Sequence, residues 1–178
     1  MKKILLIIIF LITCCTLEVT AAEISSEARV KAAYLYNFVK FIKWPKNTFK
    51  ESSSPIIIGI LGENALFEQL APLNSRKVRN HPIEVKYFES MKEAHGCQLL
   101  YINIKEADQL IPVLDALKTS STVTIGDYKD FASDGGIILF ATIRERLRFI
   151  INHDVAKKNN IQIDAQLLSL AIDVLEEN

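Results

Sequence analysis

A continuous apolar run over residues 55–62 constrains the fold of this chain more than any other feature. It consists of Pro55-Ile56-Ile57-Ile58-Gly59-Ile60-Leu61-Gly62. Because apolar residues do not alternate with polar ones, a strand formed here must be covered on both faces. Strands of this kind occupy the middle of parallel sheets that carry helices on both sides. The run therefore predicts a central parallel strand in a layered α/β domain.

Apolar periodicity predicts the elements around this strand. A first helix starts at Ser25 or Ser26 and continues to about Lys43, where Trp44-Pro45 ends it. One face of this helix carries Ala28, Ala32, Leu35, Val39 and Ile42. Further strands are expected over residues 83–87, 97–104 and 123–125, and further helices over residues 64–73 and 106–118.

The C-terminal part has a different pattern. Two apolar strands, over residues 137–142 and 147–152, lie too close together for a crossover helix and therefore predict an antiparallel hairpin. The turn between them contains neither Gly nor Asn, which leaves its type open. Asp164 can cap a final helix, whose apolar side carries Leu167, Leu168, Ala171, Val174 and Leu175. The predicted fold is a single-domain α/β sandwich, mostly parallel, with an antiparallel C-terminal hairpin and flanking helices.

The first 22 residues have the composition of a cleaved secretory signal peptide. Two lysines precede an apolar run from Ile4 to Leu17, and small residues end at Ala22. The run spans about 21 Å in a helix, less than the ~30 Å of a bilayer core, which disfavours a retained anchor. A lipoprotein is the other alternative, but Thr13 before Cys14 fits a lipobox poorly. We therefore expect a domain over residues 23–178 that lies outside the cytoplasm, without stable membrane insertion after cleavage.

Charge and cysteine content restrict the function further. The full chain has 21 Lys+Arg and 21 Asp+Glu, and cleavage leaves the balance close to neutral. A nucleic-acid binder needs a dominant basic face, so this class of partner is not expected. Of three cysteines only Cys97 lies beyond the predicted leader, which excludes an internal disulfide in the mature domain. Its apolar neighbours favour a buried thiol over intermolecular pairing.

The sequence contains no motif for a cofactor or for catalysis. The Walker, dinucleotide-loop, G-x-S-x-G and HExxH patterns are absent. His95 and Cys97 are too few ligands for a metal site. We expect no enzyme activity, no cofactor and no metal. Ligands of parallel sheets usually bind at the carboxyl ends of the strands. That edge would offer Glu63, Asn64, Asn103, Gly126 and Asp127.

A series of segments, taken in order, resembles the YfiR-like periplasmic family. The segments are Lys31-Ala32-Ala33-Tyr34-Leu35-Tyr36-Asn37-Phe38, Phe41-Ile42-Lys43-Trp44-Pro45, Ile58-Gly59-Ile60-Leu61-Gly62, Cys97-Gln98-Leu99-Leu100-Tyr101-Ile102, Thr124-Ile125-Gly126-Asp127, Phe131-Ala132, Gly135-Gly136-Ile137, Phe149-Ile150-Ile151-Asn152 and Ile163-Asp164-Ala165-Gln166-Leu167-Leu168-Ser169-Leu170-Ala171. Any one segment is a weak match, but their order along nearly the whole domain is fairly specific.

The resemblance implies a small periplasmic α/β protein that regulates, and in the best-understood branch inhibits, a membrane-bound signalling protein. The implied partner is the periplasmic domain of an inner-membrane diguanylate cyclase or of a sensor kinase. Members tend to form homodimers, and some carry regulatory disulfides. The single cysteine of the mature domain departs from that redox mechanism. The rival hypothesis is a periplasmic small-molecule-binding protein.

The matching positions supply the candidate partner or ligand surface. These candidates are Tyr34, Tyr36, Phe38, Trp44, Gly126, Asp127 and Asn152. Each also has a structural interpretation. Trp44 would end the first helix, Gly126 would permit a close backbone approach, and the Asn152 amide would tie the hairpin to the final helix.

Overall fold

The computed structural model describes residues 26–62 and 64–176. The predicted signal peptide, with Cys14 and Cys15, lies outside the described residues. Glu63, one residue of the expected ligand edge, also lies outside them.

The described elements alternate between strands and helices. In chain order they are α1 (26–41), β1 (Ile42–Lys43), β2 (Ile56–Leu61), α2 (Asn64–Leu70), β3 (Lys77–Val78), β4 (His81–Phe88), β5 (Leu99–Ile102), α3 (Ala107–Leu117), β6 (Val123–Gly126), β7 (Ile138–Ile143), β8 (Arg146–Asn152), α4 (His153–Lys158), β9 (Gln162–Ile163), α5 (Ala165–Leu170) and β10 (Asp173–Leu175). Short 3-10 turns follow β1 and α2.

Eight of these strands form one sheet in the order β10-β8-β7-β6-β5-β2-β4-β3. The β2 strand lies between β4 and β5 and is parallel to both, with Ile58 opposite Val85 on one side and Leu99 on the other. The β7–β8 hairpin is antiparallel, as is the short β3–β4 pair. The predicted α/β fold, with a mostly parallel sheet and an antiparallel hairpin, is confirmed.

The sheet has an apolar core on each face, which explains why its central strands lack polar residues. On β5, Leu99 and Tyr101 belong to one core, and Leu100 and Ile102 belong to the other. Helix α1 contributes Leu35, Phe38 and Val39 to the first core, together with Ile42 of β1 and with Leu66 and Leu70 of α2. Helix α3 contributes Leu110, Leu114 and Leu117 to the second core. Successive side chains of a strand point to opposite faces, so a doubly covered strand is apolar throughout.

The first helix ends two residues earlier than the sequence predicts. Ile42 and Lys43 form β1, which pairs antiparallel with β9 and places Ile42 opposite Ile163. The Arg79 guanidinium donates hydrogen bonds to the carbonyl oxygens of Lys40, at 2.7 Å, and Ile42, at 3.2 Å. Carbonyl groups at a helix end have no partner within the helix. A cation distant in sequence therefore completes this terminus.

The predicted C-terminal helix is correct at its start and wrong at its end. The Asp164 carboxylate caps α5 by accepting a hydrogen bond from the backbone N–H of Gln166 at 2.9 Å. The helix then ends at Leu170, and Val174 and Leu175 belong to β10, which pairs parallel with β8. The edge of β8 has backbone groups that can form hydrogen bonds with this segment, and apolar periodicity in the sequence does not predict such pairing.

The hairpin turn has a geometry that its residues do not favour. Arg144 and Glu145 both have positive φ angles, of 48° and 61°. Two central residues with positive φ define a type I′ turn, which matches the twist of the flanking strands and is usually formed by Asn-Gly. The ladder nevertheless continues to the Ile143–Arg146 pair. Cross-strand pairing therefore outweighs the local backbone strain.

We expect the double substitution Arg144→Asn and Glu145→Gly to raise the free energy of unfolding by about 1 kcal/mol, because it relieves positive φ angles at two side-chain-bearing residues. Urea denaturation of the mature domain measures this change. Arg144→Ala with Glu145→Ala is the control, since it removes the same two charges but keeps a Cβ atom at both positions. Equal stability of the two variants would contradict the strain explanation.

Candidate functional site

An open groove of about 610 Å³ lies between the N-terminal half of α1 and the far end of the β7–β8 hairpin. We call it the hairpin groove. Its apolar surface comes from Val30, Tyr34 and Leu147, and Arg146 and Arg148 line its basic side. Ser26, Glu27, Thr142 and Glu145 complete the lining.

The groove exists because the hairpin is buried only over its first half. In β7, Ile138, Leu139 and Phe140 are buried, whereas Thr142 and Ile143 at the end of the strand are exposed. The hydroxyl of Tyr34 donates a hydrogen bond to the carbonyl oxygen of Leu147 at 3.2 Å. The same ring packs edge-on against Phe149, with 5.5 Å between ring centres. Tyr34 therefore joins α1 to the hairpin and forms one wall of the groove.

The end of the hairpin combines exposed apolar surface with positive charge. Arg144, Arg146 and Arg148 are all exposed, and together with Ile143 they line a second depression of about 520 Å³. Ile143 is 48% exposed, and Val30 across the groove is 44% exposed. Within residues 26–62 and 64–176, none of these arginines forms an ion pair. A surface of this kind is complementary to a partner with acidic and apolar side chains.

A buried polar cluster lies beneath the N-terminal half of α1. The Lys31 ammonium group contacts the carboxylate oxygens of Glu27 and Asp127, each at 2.9 Å. It also donates a hydrogen bond to the hydroxyl of Tyr101 at 3.1 Å. That hydroxyl in turn donates to Asp127 Oδ2 at 3.2 Å. The cluster thus joins α1 to the ends of two neighbouring strands, β5 and β6.

The Lys31 side chain keeps its proton despite its burial. Burial lowers the pKa of this lysine, but the hydrogen bonds and charges of Glu27 and Asp127 more than offset that effect, so its pKa lies above 10.5. The second oxygen of the aspartate, Oδ1, is buried and receives no hydrogen bond from the described residues. Asp127 also lines a cavity of about 450 Å³, together with Lys129 and Leu139.

Two of the predicted surface residues lie in the interior. Phe38 is fully buried in the core between α1 and the sheet. Gly126 is buried against Phe131, and a Cβ atom placed on this glycine would lie 2.4 Å from the Phe131 ring. A Cβ atom placed on Gly136 would lie 2.1 Å from the same ring, so both glycines leave room for Phe131. The structure therefore removes Phe38 and Gly126 from the candidate surface and gives them packing roles.

The other candidates lie away from the groove. The Trp44 indole N–H donates to the carbonyl oxygen of Gln98 at 3.0 Å. Asn152 accepts a hydrogen bond from the backbone of Val155 and caps α4. It also donates to the carbonyl oxygen of Ala132 at 2.8 Å. The predicted tie from Asn152 to the final helix is therefore wrong, because both of its bonds go to other segments. Tyr36 is half-buried near the C-terminal end of α1.

Sequence reasoning named Tyr34 and Asp127 as candidates but assigned no role to Lys31 and Tyr101, which contact Asp127 in the structure. Glu27 and Lys31 have the i,i+4 spacing that favours an ion pair on a helix, and the structure contains this pair. An apolar-side lysine is the one signal that could have indicated a buried partner. Its partner Asp127 is 96 residues away in sequence.

Cys97 is buried, as expected, with 3% of its surface exposed. Burial raises the pKa of this thiol to about 11, so it is protonated and unreactive at neutral pH.

Among the described residues, no group of three or more His, Cys, Asp and Glu side chains is placed to hold a metal ion. In the same part of the chain, no helix is long and apolar enough to cross a bilayer.

The sequence profile of the YfiR/HmsC-like family matches residues 28–172, which cover most of the chain and nearly all of the hairpin groove. The chain belongs to the YfiR/HmsC-like family. No individually curated protein matches it. Proteins of the YfiR/HmsC-like family are periplasmic and act as regulators rather than as catalysts.

We expect Lys31→Met to lower the free energy of unfolding by about 3 kcal/mol, because it leaves the partly buried Asp127 carboxylate without its cation. Urea denaturation near neutral pH measures this loss. Since the pKa of Lys31 is raised by folding, its contribution is complete below pH 10.5 and is lost as the pH rises through the folded-state pKa.

Glu27→Gln provides the matched control, because this partner of Lys31 is exposed and should contribute less than about 1 kcal/mol. Adding Asp127→Asn to Lys31→Met should recover part of the lost stability, since the unpaired charge disappears. If Lys31→Met and Glu27→Gln were equally stable, the Lys31–Asp127 ion pair would not contribute more to stability than the exposed Lys31–Glu27 pair, and the prediction would be wrong.

Proposed function

We propose that this YfiR/HmsC-like chain is a periplasmic, non-enzymatic regulator that binds the periplasmic domain of an inner-membrane signalling protein and inhibits it. A diguanylate cyclase is the favoured partner. A sensor kinase, which can also present a periplasmic domain, is the other partner class. The observation that carries the proposal is the family match over residues 28–172. The hairpin groove supplies the docking surface that such a regulator needs.

The chemistry of the groove supports a protein partner. Tyrosine and arginine are the residue types that dominate the binding energy of protein interfaces, and the groove presents Tyr34 beside Arg146 and Arg148. An apolar side chain of the receptor could enter between Val30 and Leu147. Acidic residues around it would then meet the arginines. We therefore propose that the receptor contributes a segment that is acidic with an apolar anchor.

The groove is well suited to bind without rearrangement. The hydrogen bond from Tyr34 to Leu147 fixes one wall of the groove, and the contacts of Lys31 with Tyr101 and Asp127 hold α1 against the sheet. A preformed surface loses little conformational entropy on binding, which favours affinity. To inhibit, the protein must bind the inactive receptor conformation more tightly than the active one. A shift from about 99% active to 1% active requires a preference of roughly 10⁴-fold.

A small-molecule-binding function is the second candidate. The buried Oδ1 atom of Asp127 has no donor among the described residues, and the side chain lines the 450 Å³ cavity beside Lys129. A ligand with a hydrogen-bond donor would satisfy this oxygen. This candidate predicts stabilisation by a periplasmic metabolite and no change in cyclic-di-GMP or kinase output on deletion of the gene.

A second copy of the chain is the proposed occupant of the C-terminal edge of the sheet. Strand β10 pairs with β8 on one side only, within the part of the chain that is described. Leu170 and Ile172, immediately before it, are 59% and 47% exposed. An open edge strand with exposed apolar neighbours favours association. These features support the homodimer that is common in this family.

We expect Arg146→Glu with Arg148→Glu to release the receptor, because two attractive charges become repulsive at the groove. In cells, this variant should reproduce the cyclic-di-GMP or kinase output of the deletion strain while its periplasmic level stays normal. With the purified receptor domain, the Kd should rise by about thirtyfold or more, a cost of roughly 2 kcal/mol.

The matched control is Lys92→Glu with Lys105→Glu, two exposed lysines that are not part of the groove lining. This pair has the same charge change and should leave signalling intact. Unchanged signalling in the deletion strain, with no membrane receptor recovered by cross-linking, would rule out the proposed regulator.

We expect Leu170→Glu with Ile172→Glu to shift the protein from dimer to monomer, because it places charges on apolar contact surface. Sedimentation velocity across a range of protein concentrations measures this change. Ile111→Glu, on an exposed site of α3, is the control and should leave the dimer intact. A wild-type protein that is monomeric at about 100 μM, well above the Kd of a specific dimer, would contradict the assigned interface.

A further inference from the structure

Positive charges also converge near the C-terminal end of α1. The Lys40 ammonium group lies 4.0 Å from the centre of the Tyr36 ring. The Arg76 guanidinium lies 5.9 Å from the centre of the same ring. Arg79 donates hydrogen bonds to the carbonyl oxygens at the end of α1. We call Tyr36, Lys40, Arg76 and Arg79 the Tyr36 cluster.

Tertiary contacts hold these cations together. Arg79 lies in the β3–β4 turn, and its hydrogen bonds to the carbonyl oxygens of Lys40 and Ile42 join this turn to the end of α1. The ring of Phe49 stacks on that of His81, with 4.2 Å between the ring centres. These contacts join residues 36–50 to residues 76–81, two segments that are far apart in the sequence. The cluster is therefore a fixed surface of the folded domain.

The two segments are rich in cations and lack acids. Residues 36–50 and 76–83 contain no Asp or Glu. Their exposed cations are Lys40, Lys43, Lys46, Lys50, Arg76, Lys77 and Arg79. In the part of the chain that the structure describes, none of these forms an ion pair. The whole chain has a net charge of zero, so this surface segregates positive charge.

We propose that the Tyr36 cluster and its neighbouring lysines bind the anionic headgroups of a phospholipid bilayer. Like charges held close together repel one another unless an anion compensates them. Cations spread over two segments match a surface with many anions better than they match one small ion. Trp44, half-buried here with Phe49 against its ring, has the amphipathic side chain that favours the headgroup level of a membrane.

This membrane contact is peripheral and leaves the hairpin groove available. Helix α1 spans roughly 24 Å along its axis. The groove uses its residues 26–34, and the Tyr36 cluster begins at residue 36 and extends beyond the helix end. Binding to the bilayer would concentrate the protein near any membrane-anchored receptor. The proposal needs no receptor, so it is tested independently of the proposed function.

Flotation of the purified mature protein with lipid vesicles provides the test. We expect binding to vesicles with about 30% phosphatidylglycerol at low salt, release at about 0.5 M salt, and no binding to pure phosphatidylcholine vesicles, because a surface potential attracts the cations and salt screens it. The variant Lys43→Gln, Arg76→Gln, Lys77→Gln should bind about a hundredfold more weakly, at roughly fivefold for each charge removed.

The control variant is Lys92→Gln, Lys105→Gln, Lys118→Gln, which removes three exposed lysines from other segments and should bind like wild type. Circular dichroism must show that both variants are folded. Equal binding of the two variants would overturn the assignment, as would binding to neutral vesicles. If millimolar inorganic phosphate raised the melting temperature of the protein while vesicles did not bind it, the surface would be a site for a free anion instead. If the wild-type protein did not bind vesicles and the triple variant at Lys43, Arg76 and Lys77 lost receptor binding, the surface would dock a protein. Either of these two results rejects the proposal.

Discussion

The buried ammonium group of Lys31 joins helix α1 to the carboxyl ends of β5 and β6. It does so through Tyr101 and Asp127, and both contacts lie within 3.1 Å. A buried charge is tolerated only where its partners are fixed, so this cluster sets the position of α1 along the sheet. Tyr34, one turn further along the same helix, then meets the backbone of Leu147. The placement of the hairpin relative to α1 follows from these contacts.

Helix α1 contributes to both of the proposed binding surfaces. Its N-terminal half forms one wall of the proposed receptor groove, and its C-terminal end carries the cations of the proposed lipid-binding surface. Its buried face contributes Leu35 and Phe38 to the core. The aromatic residues of this helix therefore have different roles. Phe38 packs inside, Tyr34 anchors the hairpin, and Tyr36 supports two cations.

Prediction from the sequence worked best where burial alone decides the structure. The strand around Ile58, the parallel arrangement of its neighbours and the antiparallel hairpin all follow from apolar patterning. The Asp164 cap was also predictable, because its side chain bonds to a backbone group two residues away. The predictions failed where distant groups compete for the backbone. Arg79 and β9 act on the end of α1, and the edge of β8 draws Val174 into a strand.

The sequence by itself determined the fold class, the family and the burial of Cys97, because each depends on local apolar pattern or on an ordered series of segments. Tertiary structure alone decided which candidate residues reach a surface. Phe38 and Gly126 are interior, whereas Tyr34 lines a groove together with arginines more than a hundred residues away in the sequence. The pairing of Lys31 with Asp127 and the convergence of Lys40 with Arg76 were likewise decided only there. Charge interactions depend on distance in space, and one sequence does not specify which distant charges folding brings together.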